Sequence, residues 1–75
     1  MKIGDVVMFV GEGTYAKWFF GQLGAVESYT SVGTDGKSHC RVRWMQPVKY
    51  HKALATISDF STDKFEVISE CYITS

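Results

Sequence analysis

Few side chains of this 75-residue chain could act as nucleophiles or metal ligands, and they are widely spaced. The cysteines and histidines are His39, Cys40, His51 and Cys71. Neighbouring side chains on a strand point to opposite faces, so His39 and Cys40 do not form a nucleophile–base pair. Zinc sites typically use closely spaced ligand pairs such as CxxC, and this sequence has none. These residues therefore predict no metal site, no cofactor and no enzymatic activity.

Two further motifs suggest catalysis but have simpler explanations. The segment Gly11-Glu12-Gly13 is not followed by the Gly-Lys-Ser/Thr sequence of a phosphate-binding loop. Asp59 and Asp63 lie four residues apart beside serine and threonine. That pattern is typical of turns and solvated charge rather than of a catalytic carboxylate pair. We therefore predict a non-catalytic protein.

The charges sum to zero, with eight Lys/Arg and eight Asp/Glu, which argues against a histone-like or polybasic membrane-binding protein. Their placement is nevertheless uneven. Residues 37–52 contain five cations and no acid, and these cations are Lys37, Arg41, Arg43, Lys49 and Lys52. Strict alternation in residues 40–44 predicts a half-buried strand, with Arg41 and Arg43 together on its outer face.

A basic stripe beside exposed aromatic side chains is the candidate binding surface. The cations of the basic stripe are Lys17, Arg41, Arg43, Lys49 and Lys52, and its aromatic residues are Tyr15, Trp18 and Tyr50. Such a surface suits an acidic protein, because Trp, Tyr and Arg dominate interface energetics. It also suits a nucleic-acid backbone with bases stacked on the rings. A third interpretation is that the arginines pair with acids of neighbouring strands and the rings fill the core.

The elements that must position these residues are short strands separated by turns. The predicted strands are residues 6–10, 23–29, 40–44 and 65–68, with an uncertain segment at 53–64. Thr34-Asp35-Gly36-Lys37 predicts a tight hairpin turn. Residues 15–23 have room for one helical turn at most. Pro47 should stop the third strand's ladder or lie at its edge, and Gly24 should mark a bend or a close backbone approach.

Several short strands in so small a chain predict an all-β fold, a closed barrel of about five strands. Residues 1–70 would form this single barrel, and 71–75 a C-terminal tail. Closure removes the exposed strand edges that favour aggregation. The residues assigned to the core are Phe9, Phe19, Trp44, Phe65 and Val67.

The layout of residues 3–68 resembles SH3-like barrels. The residues that carry the resemblance are Gly4-Asp5 with Val7 and Phe9, the loop with Tyr15, Trp18 and Phe19, Gly24-Ala25-Val26, Val42-Arg43-Trp44, Val48-Lys49-Tyr50, Phe60 and Phe65-Glu66-Val67. More narrowly, the chain is similar to electron-transport accessory barrels of the photosystem I subunit IV type. The outline also suits KOW and Tudor-like barrels and small phage-encoded proteins. The resemblance implies a non-catalytic docking module.

One predicted strand leaves an apolar patch outside. If Val7 and Phe9 point inward, then Val6, Met8 and Val10 point outward together. Such a patch is expected to be covered by a partner, by the tail at 71–73, or by a second copy in a homodimer. These alternatives stay open.

The compartment is predicted from short apolar runs and cysteine usage. Residues 6–10 are too short for a signal-peptide core or a membrane span, so we predict a cytoplasmic protein without membrane contact. Two cysteines without CxxC spacing fit a reducing compartment. A Cys40–Cys71 disulfide is the open alternative; in the chain-entropy model its loop of about 30 residues would add on the order of 3–4 kcal/mol.

The sequence as a whole predicts a binding module that docks on the acidic surface of a larger protein, as an accessory subunit or a small inhibitor. The predicted partner-binding residues are Tyr15, Lys17, Trp18, Arg41, Arg43, Lys49, Tyr50 and Lys52. The alternative is a nucleic-acid-binding barrel of the KOW or Tudor-like kind.

Overall fold

A computed structural model describes residues 1–31 and 36–69 of the chain. The elements in these ranges are β1 Val6–Phe9, α1 Ala16–Phe19, β2 Leu23–Thr30, β3 His39–Tyr50, β4 Ala53–Ser61 and β5 Phe65–Ser69. A short 3-10 turn, Thr62–Lys64, joins β4 to β5. The predicted all-β fold is confirmed, and the helical turn expected within residues 15–23 is α1. The uncertain segment at 53–64 forms β4 and the 3-10 turn.

The strands form one antiparallel sheet in the order β4-β3-β2-β1-β5, which is compatible with a small SH3-like barrel. Strands β1 to β4 each pair with the next, and β5 returns to pair with β1. β4 and β5 are therefore the edges of the sheet. The sheet curls around Phe9, whose ring centroid lies 5.0 Å from that of Phe60 in β4 and 5.5 Å from that of Phe65 in β5. Side-chain packing thus brings the two edges around one interior.

The core follows from the alternation of inward and outward residues along each strand. In β3, Cys40, Val42 and Trp44 are buried, whereas Arg41 and Arg43 are exposed, so the predicted alternation is confirmed. The buried apolar residues are Val7, Phe9, Phe19, Val26, Cys40, Val42, Trp44, Val48 and Phe65. Burying a large apolar side chain completely stabilises the fold by roughly 1.5–3 kcal/mol.

The predicted core is confirmed except at one position. The buried members are Phe9, Phe19, Trp44 and Phe65. Val67 was expected beside them, but this prediction is wrong because 36% of its surface is exposed. Val67 pairs with Val7 on one side only, since β5 is an edge strand. The alternation pattern does not distinguish an edge strand from a central one.

Pro47 interrupts strand pairing without ending the strand. β3 continues to Tyr50, but its register with β4 shifts between Arg43 and Val48, and Pro47 lies in that interval. A proline is tolerated where the ladder is already irregular, because it has no N–H to donate. The ladder is therefore interrupted at Pro47 but does not stop there as expected, because pairing with β4 resumes at Val48, and the strand itself is longer than predicted.

Gly24 lies where two strands approach closely, as predicted. A Cβ atom on Gly24 would lie 2.3 Å from Cγ1 of Val42 and 2.8 Å from the carbonyl oxygen of Arg43. Any larger residue would therefore push β2 away from β3 at the centre of the sheet.

Some expectations concern residues outside the described ranges. These are part of the 34–37 turn, the Cys71 thiol and the tail at 71–75. Gly36 at the end of that turn has a φ of 79°, which suits a glycine. The Cys40–Cys71 pairing and the covering of β1 by the tail stay predictions.

Candidate functional site

Four rings gather at one end of the sheet, and we call this group the aromatic end: Tyr15, Trp18, Tyr50 and His51. The centroid of the Trp18 ring lies 4.8 Å from that of Tyr50, at an interplanar angle of 79°, and 4.7 Å from that of His51. The Tyr15 and Tyr50 centroids are 5.7 Å apart. The structure therefore brings together the three aromatic residues predicted for the site, from positions 35 residues apart in the chain (15 to 50).

A single helical turn places Tyr15 and Trp18. The N–H of Phe19 donates to the carbonyl of Tyr15 at 3.0 Å, and the N–H of Phe20 donates to the carbonyl of Ala16 at 2.9 Å. Gly21 then adopts a φ of 83° and donates its N–H to the carbonyl of Phe9 at 2.8 Å. Glycine is favoured there because this φ is costly for other residues. The turn therefore ends at Gly21 and is tied to β1.

A two-residue hairpin places Tyr50 and His51. Tyr50 pairs with Ala53, so only His51 and Lys52 connect β3 to β4. His51 has a φ of 55°, in the left-handed region that two-residue hairpin turns use. This turn was not predicted, because the usual Asn-Gly or Asp-Gly signal is absent from it. His51 was therefore not predicted as a member of the site either.

Phe19 connects the aromatic end to the core. Its ring stacks on Trp44 with centroids 5.2 Å apart, and it lies 5.6 Å from Tyr50. Phe19 itself is only 2% exposed. Aromatic pairs of this kind contribute about 0.5–1.5 kcal/mol beyond their buried area. Phe19 thus supports the Tyr50 ring from the core.

The outer rings keep accessible surface. Tyr15 is 46% exposed, and Trp18 and Tyr50 are half-buried. The pKa of Tyr50 is raised above its ordinary value, mainly by desolvation and secondly by a hydrogen bond with Tyr15. The Tyr50 phenol is therefore neutral near pH 7. Tyr15 and Tyr50 each present an apolar ring with a polar tip, a combination common in interfaces.

An open groove of about 410 Å³ separates the aromatic end from strand β4. Its lining residues are Tyr15, Phe19, Tyr50, Ala55, Ile57, Ser58, Asp59 and Phe60. Phe60 forms part of the floor, with its centroid 5.5 Å from that of Tyr15. Phe60 and this stretch of β4 were not predicted as part of the site, because residues 53–64 have no clear strand pattern in the sequence.

Three exposed lysines belong to the two segments that form the aromatic end. Lys17 places its Nζ atom 4.5 Å from the centroid of the Trp18 ring. Lys49 precedes Tyr50, and Lys52 lies in the hairpin turn. None of the three forms an ion pair with another described residue. Their charges are therefore available to an incoming anion.

The two arginines are engaged on the outer face of the sheet. Arg41 donates from Nε to Oδ1 of Asp59 at 2.9 Å and from Nη2 to Oδ2 at 3.3 Å. Arg43 donates from Nε to Oε1 of Glu27 on β2. The hydrogen bond from Arg41 is the largest cause that lowers the pKa of Asp59, and the bond to Asp59 raises the pKa of Arg41. Both arginines therefore pair with acids of neighbouring strands, which was one of the alternatives that the sequence left open.

The predicted basic stripe is consequently divided in two. Arg41 and Arg43 share the outer face, as predicted, but each is bonded to a carboxylate. Lys17, Lys49 and Lys52 belong to the α1 segment and the β3–β4 hairpin, with the rings. Asp59 also corrects the sequence analysis, since it is a strand residue paired with Arg41 and not a turn residue. Asp63 lies in the 3-10 turn, where it accepts a hydrogen bond from Oγ of Ser61 at 2.6 Å.

The predicted apolar patch on β1 is smaller than expected. Val6 and Met8 alternate outward and are half-buried, opposite Ala25 and Leu23 of β2. Val10 lies beyond the end of β1, and its N–H donates to the carbonyl of Lys64 at 2.8 Å. The homodimer across Val6, Met8 and Val10 stays a prediction.

The possible metal ligands are dispersed in the part of the chain that the structure describes. Within residues 1–31 and 36–69, no three His, Cys, Asp or Glu side chains cluster as metal ligands would. Burial, aided by the charge of Asp59, raises the pKa of the Cys40 thiol to about 11, so the thiol is a poor nucleophile. In the same ranges, no helix has the length and apolar character that a bilayer crossing requires.

Comparison with protein-family models, with curated proteins and with solved structures finds no significant match to this chain.

Proposed function

We propose that this protein is a non-catalytic binding module that docks, through its aromatic end, on an acidic segment of a larger protein. The observation that carries the proposal is the set of preorganised rings accompanied by lysines that pair with no acid among the described residues. Tyr15, Trp18 and Tyr50 would anchor the contact. Lys17, Lys49 and Lys52 would select for negative charge.

Preorganisation supports this assignment. A binding surface loses affinity when its side chains must be ordered at the moment of association. Here the rings of Trp18 and Tyr50 already contact each other edge to face, and Phe19 supports Tyr50 from the core. A partner would therefore meet a rigid aromatic surface, on which Trp and Tyr contribute strongly to affinity.

The division of the cations also supports it and refines the predicted surface. Arg41 and Arg43 already satisfy their charges within the sheet, so a partner would have to displace Asp59 or Glu27 to use them. A partner could bind Lys17, Lys49 and Lys52 without such a displacement, because they pair with no described acid. We therefore place the arginines at the rim and the lysines at the centre of the binding surface.

Several finer attributes belong to the same proposal. They are an SH3-like barrel of the electron-transport accessory or KOW/Tudor-like kind, a phage-encoded source, a cytoplasmic location and service as an accessory subunit or small inhibitor. Each rests on the sequence pattern described above. The size and strand order of the sheet are compatible with them.

The test compares two apolar substitutions on the protein used as bait. Trp18→Ala removes the central ring of the aromatic end. Ile68→Ala removes an apolar side chain from β5, where Ile68 is 51% exposed, and serves as the control for loss of apolar surface. Proteins retained from a lysate of the source cells are identified, purified and titrated against each bait. We expect Trp18→Ala to weaken binding at least about tenfold and Ile68→Ala to leave it unchanged.

Equal affinity of the Trp18→Ala and wild-type baits for every purified partner would exclude the aromatic end as the docking surface. Retention of nothing beyond the background of the empty matrix would exclude the docking function itself. Thermal unfolding of each bait verifies that both variants are folded.

Nucleic acid is the second candidate, and the position of Lys17 over the Trp18 ring favours it. A base that stacks on that face of Trp18 would displace Lys17, and the displaced cation would be free to pair with the phosphate of the same strand. Binding of labelled single-stranded oligonucleotides should then weaken steeply between about 50 and 200 mM salt. Absence of any binding at the lower salt concentration would remove this alternative.

A further inference from the structure

Strand β4 is an edge strand nine residues long, which makes it a template for a further strand. Among the described residues, its backbone pairs only with β3. An edge strand presents a row of N–H and C=O groups that another extended segment can bond. β4 carries one charged side chain, Asp59, and that carboxylate is held by Arg41. Charge on β4 therefore does little to prevent another strand from pairing with this edge.

One hydrogen bond establishes which residues of β4 direct their backbone N–H and C=O groups away from β3, to the open edge. The N–H of Thr62 donates to the carbonyl of Ser38 at 3.0 Å, just beyond the registered pair His39 and Ser61. In an antiparallel ladder, bonded and non-bonded pairs alternate. Phe60 and Ser58 therefore bond to β3.

The remaining residues of this stretch direct their backbone groups to the open edge. By the same alternation, these are Ile57, Asp59 and Ser61. Ile57 is the apolar residue of the three, and 39% of its surface is exposed. It lies opposite Arg43 in the register.

The groove described above runs beside the same stretch of strand. Residues 57–60 line it together with Tyr15 and Tyr50. A strand added to the edge of β4 would direct alternate side chains to the face that carries Phe60, and hence into this groove. Main-chain bonds and side-chain pockets would then act on the same ligand, as in β-strand addition by peptide-binding domains.

We propose that the docking partner binds as an extended acidic segment added antiparallel or parallel to β4. Its alternate apolar side chains would lie in the groove between β4 and the aromatic end. The proposal rests on the docking function above and names the conformation of the ligand. Charge complementarity selects the occupant: Lys17, Lys49 and Lys52 belong to the segments that border the groove and pair with no described acid.

The probe is a synthetic peptide, acetyl-Glu-Glu-Val-Thr-Tyr-Thr-Val-Glu-Glu-amide, which alternates apolar and polar residues between acidic ends. Two derivatives carry N-methyl groups on alternate amides of the central segment: one on the odd-numbered residues and the other on the even-numbered residues. Because a strand bonds to an edge through every second residue, one derivative should lose binding at least about tenfold and the other should keep it. Binding through side chains alone would not distinguish the two derivatives.

A matched pair of protein variants tests the same contact from the other side. Ile57→Pro removes one outward N–H, which an edge strand tolerates, and Ile57→Val keeps that N–H with a similar side chain. We expect Ile57→Pro to weaken peptide binding at least about tenfold and Ile57→Val to change it by less than about threefold. The methylated peptides keep the test valid if Ile57→Pro does not fold.

Each other outcome overturns strand addition. Equal binding of both methylated peptides, or of Ile57→Pro and Ile57→Val, would show that the edge is not used. If Trp18→Ala still weakens binding in that case, the proposed docking function survives without strand addition. Absence of binding by the wild-type protein excludes this class of ligand, and a dimer that Ile57→Pro dissociates would show that a second copy occupies the edge.

Discussion

Arg41 and Arg43 on the outer face of β3 belong to the same run of positive charge in the sequence as Lys49 and Lys52 beside the aromatic end, yet the surroundings of the two pairs differ. Arg41 and Arg43 lie in the middle of the sheet, where β2 and β4 place Glu27 and Asp59 beside them. Lys49 and Lys52 lie where β3 turns into β4, and no described acid pairs with them. The difference teaches that cation availability depends on neighbouring strands and not on charge spacing along the chain.

The aromatic residues show the same contrast over a shorter distance. Trp18 and Phe19 are adjacent in α1, but Phe19 is buried against Trp44 and Trp18 is half-buried at the surface. One helical turn therefore supplies a core residue and a candidate anchor in consecutive positions.

Phe19→Ala should have the largest effect on stability. Truncating a buried phenylalanine leaves a cavity and typically costs about 3–5 kcal/mol of unfolding free energy, close to the whole stability of so small a domain. Trp18→Ala should cost about 1–2 kcal/mol, because part of that ring already contacts water. Urea denaturation of both variants measures the difference. Equal losses would mean that the aromatic end and the core are not distinct.

Cys40 should react about 100-fold more slowly in the folded protein than in the denatured chain. With a pKa of about 11, only a small fraction of this thiol is ionised near pH 8, whereas an ordinary thiol is substantially ionised there. Iodoacetamide labelling of a Cys71→Ser variant, with and without denaturant, follows Cys40 alone. Comparable rates in both conditions would place the thiol at the surface, contrary to its 3% exposure.

Charge substitutions should separate the lysines from the arginines by about tenfold in affinity. Lys17→Glu combined with Lys49→Glu should weaken binding of the acidic peptide at least about tenfold, since both cations lie at the proposed surface. Arg41→Gln combined with Arg43→Gln should change it by less than about threefold. Calorimetric titration measures both. A larger loss from the arginine pair would move the binding surface to the outer face.

The Arg41–Asp59 pair should have the smallest effect, and its effect should depend on pH. The lowered pKa of Asp59 means that the pair stabilises the fold above about pH 4 and that this stabilisation is lost as the pH falls through the folded-state pKa. Asp59 is exposed, so Asp59→Asn should cost only about 0.2–1 kcal/mol near pH 6 and nothing near pH 2. Urea denaturation at both pH values checks this. A cost that persists in acid would assign the effect to packing.

Local patterns in the sequence predicted much of the fold. The alternation from Cys40 to Trp44 identified the buried and exposed sides of β3, and the glycines around residues 11–24 bracketed the helical turn. These signals are local because side-chain direction alternates with every residue of a strand. β4 was harder, since its nine residues are largely exposed and have no clean alternation.

The candidate site was only partly predictable. Tyr15, Trp18 and Tyr50 stood out by residue type, and the structure gathers them. His51, Phe60 and the groove along β4 did not, because they depend on the two-residue hairpin and on the curl of the sheet. The pairing of Arg43 with Glu27 likewise depends on the register of β2 against β3, which shifts between Val26 and Ser28.

The amino-acid sequence alone determined that this chain forms short strands with an apolar inner side, because that information resides in neighbouring residues. The tertiary structure decided which cations are neutralised, which rings become surface anchors, and which strand is left at an edge. Those properties arise from contacts between residues far apart in the chain, and only the register and curvature of the sheet bring such residues within the few ångströms over which hydrogen bonds and ring contacts act.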